Sequence, residues 1–427
     1  MTAAHDPEAV ARRNYCLALL TAGYTLNFLD RSVVNVLLDA IKSELHLSDT
    51  ALGFVAGLGF ALLYTLLGIP FARLADRTSR KGVIAFGMLL WSLMTAMGGL
   101  AQSGLQLVLA RTGVGIGEAA GTASSHAMLS EYFTKDERPR ALGVLNLGLP
   151  AGVFLGIFLG GWTNQLFGWR VALFFAGVPG LIVAALLYFT VAEPGRLAPD
   201  GPLESPSRAS FWTTVRFLCS QPSYLFSLSG SFFSGFGLNA IFVWSPVFFG
   251  RVHHMASGEV GALVGSILGI SGILGVITGG AVVSRFSRGD DRWKPGQPAL
   301  ACLLAAPFVI LMLLVDSKAL ALTCLGLGSF LAYSLLGPIF SIYQCVARPR
   351  MRATATAIHN LVGALGGLGL GAVLVGMASD RLTPHFGHDA IRYALILPMV
   401  AFLPGGLLYA LGCRTIRRDV LRAAAEG

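Results

Sequence analysis

The sequence is poor in charge. Asp, Glu, Lys and Arg make up 12% of its 427 residues, while 54% are hydrophobic. The charged share is about half that of an ordinary soluble domain. A water-soluble fold of this length needs far more polar residues to cover its surface, so a soluble enzyme and a disordered chain are disfavoured. A secreted disulfide scaffold is disfavoured too: the six cysteines form no C-x-x-C pair and sit in or beside apolar runs, where they read as buried hydrophobes. There is no G-x-x-x-x-G-K-[ST] element for ATP, no G-x-S-x-G serine elbow, and no H-E-x-x-H zinc site. These absences point to no cofactor, no metal and no catalytic residue.

What the chain does have is apolar runs, with a mean hydropathy of +0.68. About 20 apolar residues cross the hydrocarbon core as a helix. That rule places twelve spans, at 15–40, 51–72, 82–101, 105–132, 141–161, 171–192, 222–248, 259–283, 297–315, 319–347, 353–377 and 393–413. The first is too long and too charged for a cleavable signal peptide. The net charge of +9 suggests nucleic acid until its distribution is considered. With both termini cytoplasmic, 23 of the 31 Lys and Arg fall on the inner side and six on the outer, leaving Arg31 and Arg111 inside spans. The proline-rich stretch 193–212 reads as a cytoplasmic linker. It separates a six-helix bundle at 1–192 from a second at 213–427. Each half carries a basic loop between its second and third spans and another between its fourth and fifth, a weak internal repeat of the kind transporters show.

Charges inside spans need a reason, since each costs about 2.5–3.5 kcal/mol at the bilayer centre on insertion scales. The first span runs outward and the fourth inward. At about 1.5 Å per residue, Asp30, Arg111 and Glu118 all fall near the midplane. Arg111 and Glu118 are two turns apart and share a face. Asp30 and Arg31 are about 100° apart and point different ways. Two acids and two arginines can form a titratable network that exchanges partners as a proton comes and goes. They can equally form two permanent ion pairs that lock the helices together. His126 sits two turns beyond Glu118 and reads as a proton relay or a hydrogen-bonded helix histidine. Asn27, Asn239 and Ser341 put polar atoms inside spans, where they line a cavity or bond helix to helix. The seventh span is rich in phenylalanine; Phe236 is a candidate for an apolar cavity wall, and Asn239 with Trp244-Ser-Pro246 suggests a helix break. His253, His254, His385 and His388 are expected at the surface in outer loops.

Several of these residues form motifs. Residues 72–81, A-R-L-A-D-R-T-S-R-K, resemble the signature loop of the major facilitator superfamily; Asp76, Arg77, Arg80 and Lys81 match, and Ala72 and Ser79 replace its glycines. Arg111-T-G-V-Gly115-I-Gly117 and Gly148-L-Pro150-A-Gly152 resemble further elements of that superfamily. Asn27-F-L-Asp30-Arg31 and Arg111-T-G-V-G-I-Gly117-Glu118-Ala119 are similar to the spinster branch, with Asp39, Ser48-Asp49 and Arg138-x-Arg140 in keeping. The resemblance implies an all-α fold of twelve membrane helices in two pseudo-symmetric six-helix bundles around a central cavity. It implies a multi-pass protein of the inner (plasma) membrane, acting as a monomer, with no nucleic-acid partner. It implies proton-coupled export of a lysophospholipid or sphingoid phosphate, with Asp30 and Glu118 as proton carriers and Arg31 and Arg111 as the charge network. Asp76, with Arg77 and Arg80, is implied as a conformational latch at a helix N-terminus. Two other readings stay open: a transporter of drugs or small organic anions on the same scaffold, and a non-transporting membrane sensor.

Overall fold

A computed structural model describes residues 7–134, 137–193 and 211–425. The regular structure of the described residues is helical. The main helices of the first half are α1 (Pro7–Leu45), α2 (Gly59–Arg77), α3 (Arg80–Gly98), α4 (Gly104–Tyr132), α5 (Gly148–Phe167) and α6 (Trp169–Thr190). Those of the second half are α7 (Pro222–Val252), α8 (Ser257–Phe286), α9 (Trp293–Leu314), α10 (Lys318–Ser334), α11 (Ala372–Phe386) and α12 (Phe402–Ala425). Each of the twelve expected spans falls on a helical stretch. Among the described residues nine stretches are long and apolar enough to cross a membrane by length and composition; the one at Gly369–Ala425 runs over the last two expected spans. Helices α1 and α4 are not among the nine. They are the helices that carry Asp30, Arg31, Arg111 and Glu118.

The sequence explains the helix ends. Ser79, Ser103 and Ser317 cap α3, α4 and α10, their hydroxyls accepting from the amides of Gly82, Gln106 and Leu320. Gly168, at φ 83°, makes the reversal between α5 and α6, a conformation that side chains resist. Large apolar residues such as Leu66, Ile270 and Leu397 are exposed, as lipid-facing positions require.

The chain packs as two compact units. The first comprises Met1–Leu47, Phe54–Glu204 and Ala256–Gly265; the second comprises Ser48–Gly53, Ser205–Met255 and Ser266–Gly427. The expected linker at 193–212 lies outside the described residues apart from its ends. Inside the first unit, α5 lies on α1 through a glycine row. A side-chain carbon at Gly152 would come within 2.3 Å of the Thr25 carbonyl oxygen, and one at Gly156 within 2.5 Å of that of Leu29. The helices touch backbone to backbone there, which fixes the position of the Asp30–Arg31 turn.

The second unit corrects one expectation. Helix α7 runs unbroken through Pro246, and the Ser245 hydroxyl donates to the Ile241 carbonyl within the same turn. Irregular winding occurs elsewhere, in π-helical turns at Phe54–Leu58 and Ala364–Gly371. The second of these reads A-L-G-G-L-G-L-G. Glycine weakens regular helix, and its missing side chain lets Asn239 approach Gly367 closely.

Candidate functional site

The first unit brings all four intramembrane charges together, in two pairs. Helices α1 and α4 supply one acid and one base each. Arg31 donates from Nε to Glu118 Oε2 at 2.6 Å, and its Nη2 lies against the same oxygen. Arg111 donates from Nη1 to Asp30 Oδ1 at 3.3 Å. Asp30 and Arg31 thus face different partners, as their offset of about 100° requires. The site is secluded: Glu118 is 0% exposed, Asp30 2%, Arg111 4% and the Arg31 side chain 10%. Such burial strengthens each attraction and raises the cost of any charge left alone.

Residues that the sequence reading did not single out complete the network. Thr95 of α3 donates to Asp30 Oδ2 at 2.5 Å. The Arg31 guanidinium lies over the rings of Phe28, Phe60 and Tyr64, with centroids at 5.0, 4.6 and 4.8 Å. Phe60 also lies 5.7 Å from the Arg111 guanidinium. An aromatic face attracts a cation, more so away from water. Phe28 was legible, three residues before Arg31 and hence on its face. Phe60, Tyr64 and Thr95 come from other helices, and no sequence signal marks them. Three polar atoms are buried without a hydrogen-bond partner: Glu118 Oε1, Arg111 Nε and Asn27 Oδ1.

The remaining candidates make other contacts. His126 of α4 meets Tyr24 edge to face at 6.3 Å. Asn239 donates to the Gly235 carbonyl at 3.0 Å and Ser341 to that of Pro338 at 2.7 Å, both within their own helices. Phe236 is buried at 8% exposure beside Gly371. Among the described residues no cluster of His, Cys, Asp and Glu has the form of a metal site.

In the basic loop, Asp76 lies near the end of α2 and its side chain is outside the described residues. Arg77 ends the same helix and is exposed. Arg80 pairs with Glu131. At the N-terminus of α3 the acid is Glu193, which the sequence did not single out. It accepts from Ser79 Oγ at 2.5 Å and from the amides of Arg80 and Lys81 at 2.8 and 3.2 Å, capping the positive end of α3.

Comparison with known proteins agrees with this architecture. The profile described as Major Facilitator Superfamily matches residues 20–371. An "MFS-type efflux pump" of Mycolicibacterium smegmatis is 34% identical over 94% of this chain and 92% of its own length. The "Sphingosine-1-phosphate transporter SPNS2" of Danio rerio is 29% identical over 92% of this chain and 82% of its own. The crystal structure of a bacterial homologue of the human lysosomal transporter spinster, inward-facing and unoccupied, superposes with a TM-score of 0.86 at 27% identity, covering 96% of this chain and 98% of that one. The chain belongs to the Major Facilitator Superfamily and is a multi-pass membrane transporter of the spinster type.

Proposed function

We propose that this transporter is driven by protons and moves an anionic amphiphile, a lysophospholipid or sphingoid phosphate, by alternating access. One observation carries the reading: two buried carboxylates are paired with Arg31 and the buried Arg111 across α1 and α4, and one oxygen of Glu118 lacks a partner. A proton arriving on Oε1 neutralises the acid while Oε2 keeps its contacts to Arg31. The arginine then carries an uncompensated charge, and the three rings around it soften that cost. An anionic head group is the natural new partner, because the guanidinium fork makes two hydrogen bonds to phosphate. Asp30 and Arg111 form the second acid–base pair and take the same roles beside it. The proton gradient supplies the energy and no cofactor takes part. The protein acts as a monomer in the inner membrane with both termini in the cytoplasm.

The sphingosine-1-phosphate transporter among the relatives supports a lipid phosphate. The efflux pump, at higher identity, supports a second reading, in which the same network drives export of drugs or small organic anions. Flux in proteoliposomes with an imposed pH gradient separates them. Labelled lysophospholipid and sphingoid phosphate are expected to move only when the gradient is present. Movement of a cationic or neutral drug in their place establishes the second reading. Binding without flux of any probe leaves a sensor and overturns both.

A further inference from the structure

Thr95 of α3 is 3% exposed, and its Oγ1 has two acceptors within reach. One is Asp30 Oδ2 at 2.5 Å; the other is the carbonyl oxygen of Trp91, one turn back on its own helix, at 3.0 Å. Bonding back to residue i−4 is the ordinary habit of a helix threonine. A bond to a buried carboxylate on another helix is not. A hydroxyl carries one proton and two lone pairs, so it donates to one acceptor at a time.

Resting on the proton-coupled reading above, we infer that Thr95 is a positioning residue for proton uptake at Asp30, a hydroxyl rotor that completes the hydrogen bonds of both protonation states. With Asp30 ionised, the Thr95 O–H donates to Oδ2. With a proton on Oδ2, the carboxyl O–H donates to Thr95 Oγ1, and the threonine proton turns to the Trp91 carbonyl. One proton is gained, the hydroxyl keeps its own, and no heavy atom moves. Neither state leaves an unsatisfied group at this contact, which would be expensive in a buried site.

The other groups around Asp30 leave this task to Thr95. Arg111 of α4 bonds Oδ1 and can only donate, so it cannot accept from a carboxyl O–H on Oδ2. Arg31, next on α1, and Glu118 of α4 act on Asp30 through space and are engaged with each other. Tyr64 of α2 faces Arg31. Helix α5 packs on α1 and has no ionisable side chain. Of the two on α6, Arg170 is held by Glu44 and the Ala101 carbonyl, and Tyr188 lies against Phe189.

The test is infrared difference spectroscopy, acid minus neutral, on the full-length protein in lipid vesicles, alongside pH-driven flux. The wild type is expected to show a protonated-carboxyl carbonyl band that Asp30→Asn removes. In Thr95→Val, of similar shape but without the hydroxyl, that band moves to higher frequency. Its pH midpoint moves with it, and flux falls about tenfold, the size of one hydrogen bond to a charged group. Thr95→Ser keeps the hydroxyl and restores the wild-type band, midpoint and flux. Thr95→Ala repeats the valine result if valine packs badly. An Asp30 band unchanged in both Thr95→Val and Thr95→Ala overturns the rotor and leaves the proton-coupled reading standing. Absence of any Asp30 band in the wild type overturns both at this residue.

Discussion

Arg31 aims two nitrogens at the same oxygen of Glu118, and the other oxygen, Oε1, is buried with no hydrogen-bond partner. A symmetric, bidentate pair would resist protonation, because a proton would displace one of its bonds. The one-sided geometry separates the two tasks: Oε2 holds α1 to α4 and Oε1 is open to a proton. Glu118→Gln is therefore the informative change. Its amide oxygen can accept from Arg31 in place of Oε2, while its NH2 stands where the protonated oxygen would. Equilibrium binding of a labelled lysophospholipid should stay within about threefold, less than the worth of one ordinary hydrogen bond. Flux should lose its response to an imposed pH gradient. Unchanged pH dependence would make Glu118 a structural partner of Arg31 and move proton carriage to Asp30.

Arg111 tests recognition and stability together. Arg111→Ala leaves Asp30 with Thr95 but without its paired counter-charge in a buried site. Losing one partner of a buried pair costs about 3–5 kcal/mol. The thermal midpoint of the detergent-solubilised variant should fall clearly. Asp30→Asn/Arg111→Ala should recover part of the loss, because the orphaned charge is gone too. Arg111→Lys should not restore binding of an anionic probe, since an ammonium lacks the guanidinium fork. Equal stability of Arg111→Ala and the wild type would mean that water reaches Asp30 freely.

How much of this was legible in the sequence depended on where the partners lie. Helices α1 and α4 were readable as spans despite their charges, and the offset between Asp30 and Arg31 foretold separate partners. Which arginine would take which acid was open, since that depends on how α1 crosses α4. Thr95, Phe60 and Tyr64 were invisible because a threonine or an aromatic in an apolar helix is ordinary packing until another helix arrives. Glu193 lay beside a proline-rich stretch and looked like linker; its capping of α3 needs the fold. Pro246 misled for a local reason: a proline marks a missing amide, yet α7 continues through it, with the neighbouring Ser245 hydroxyl bonded inside the same turn.

The contact of α5 with α1 makes a prediction away from the charges. A methyl at Gly156 would meet the Leu29 carbonyl at 2.5 Å, the Ser32 β-carbon at 2.7 Å and the Leu29 α-carbon at 3.0 Å. Backbone cannot step aside cheaply, so Gly156→Ala should cost about 1–3 kcal/mol, the usual range for overpacking. Since Leu29 precedes Asp30, pH-driven flux should fall as well. Gly143→Ala is the matched control. Nothing lies within 4 Å of a methyl there, and alanine in a helix should be neutral or stabilising by up to about 1 kcal/mol. Equal thermal midpoints for the two variants would show that the α1–α5 contact is looser than these distances.

The last prediction concerns acid. His253 follows α7 and was expected at the surface, but its ring stacks on Phe249 at 5.3 Å and meets the edge of Phe248 at 5.4 Å. Burial holds its pKa below the ordinary 6.5, and the positive charge of Arg392 adds to the effect. The fold therefore favours the neutral ring. The unfolded chain takes up the proton first as pH falls, so the stability this ring contributes is present above about 6.5 and is lost on acidification. One group can contribute a slope of at most about 1.4 kcal/mol per pH unit, and a half-buried ring less. Thermal midpoints measured from pH 8 down to pH 5 should fall more steeply for the wild type than for His253→Gln, which cannot charge. The gap between the two curves should narrow as the pH drops below the ordinary histidine value. A gap that stays constant across this range would mean that His253 contributes packing alone and that its ring charges as easily in the fold as in the open chain.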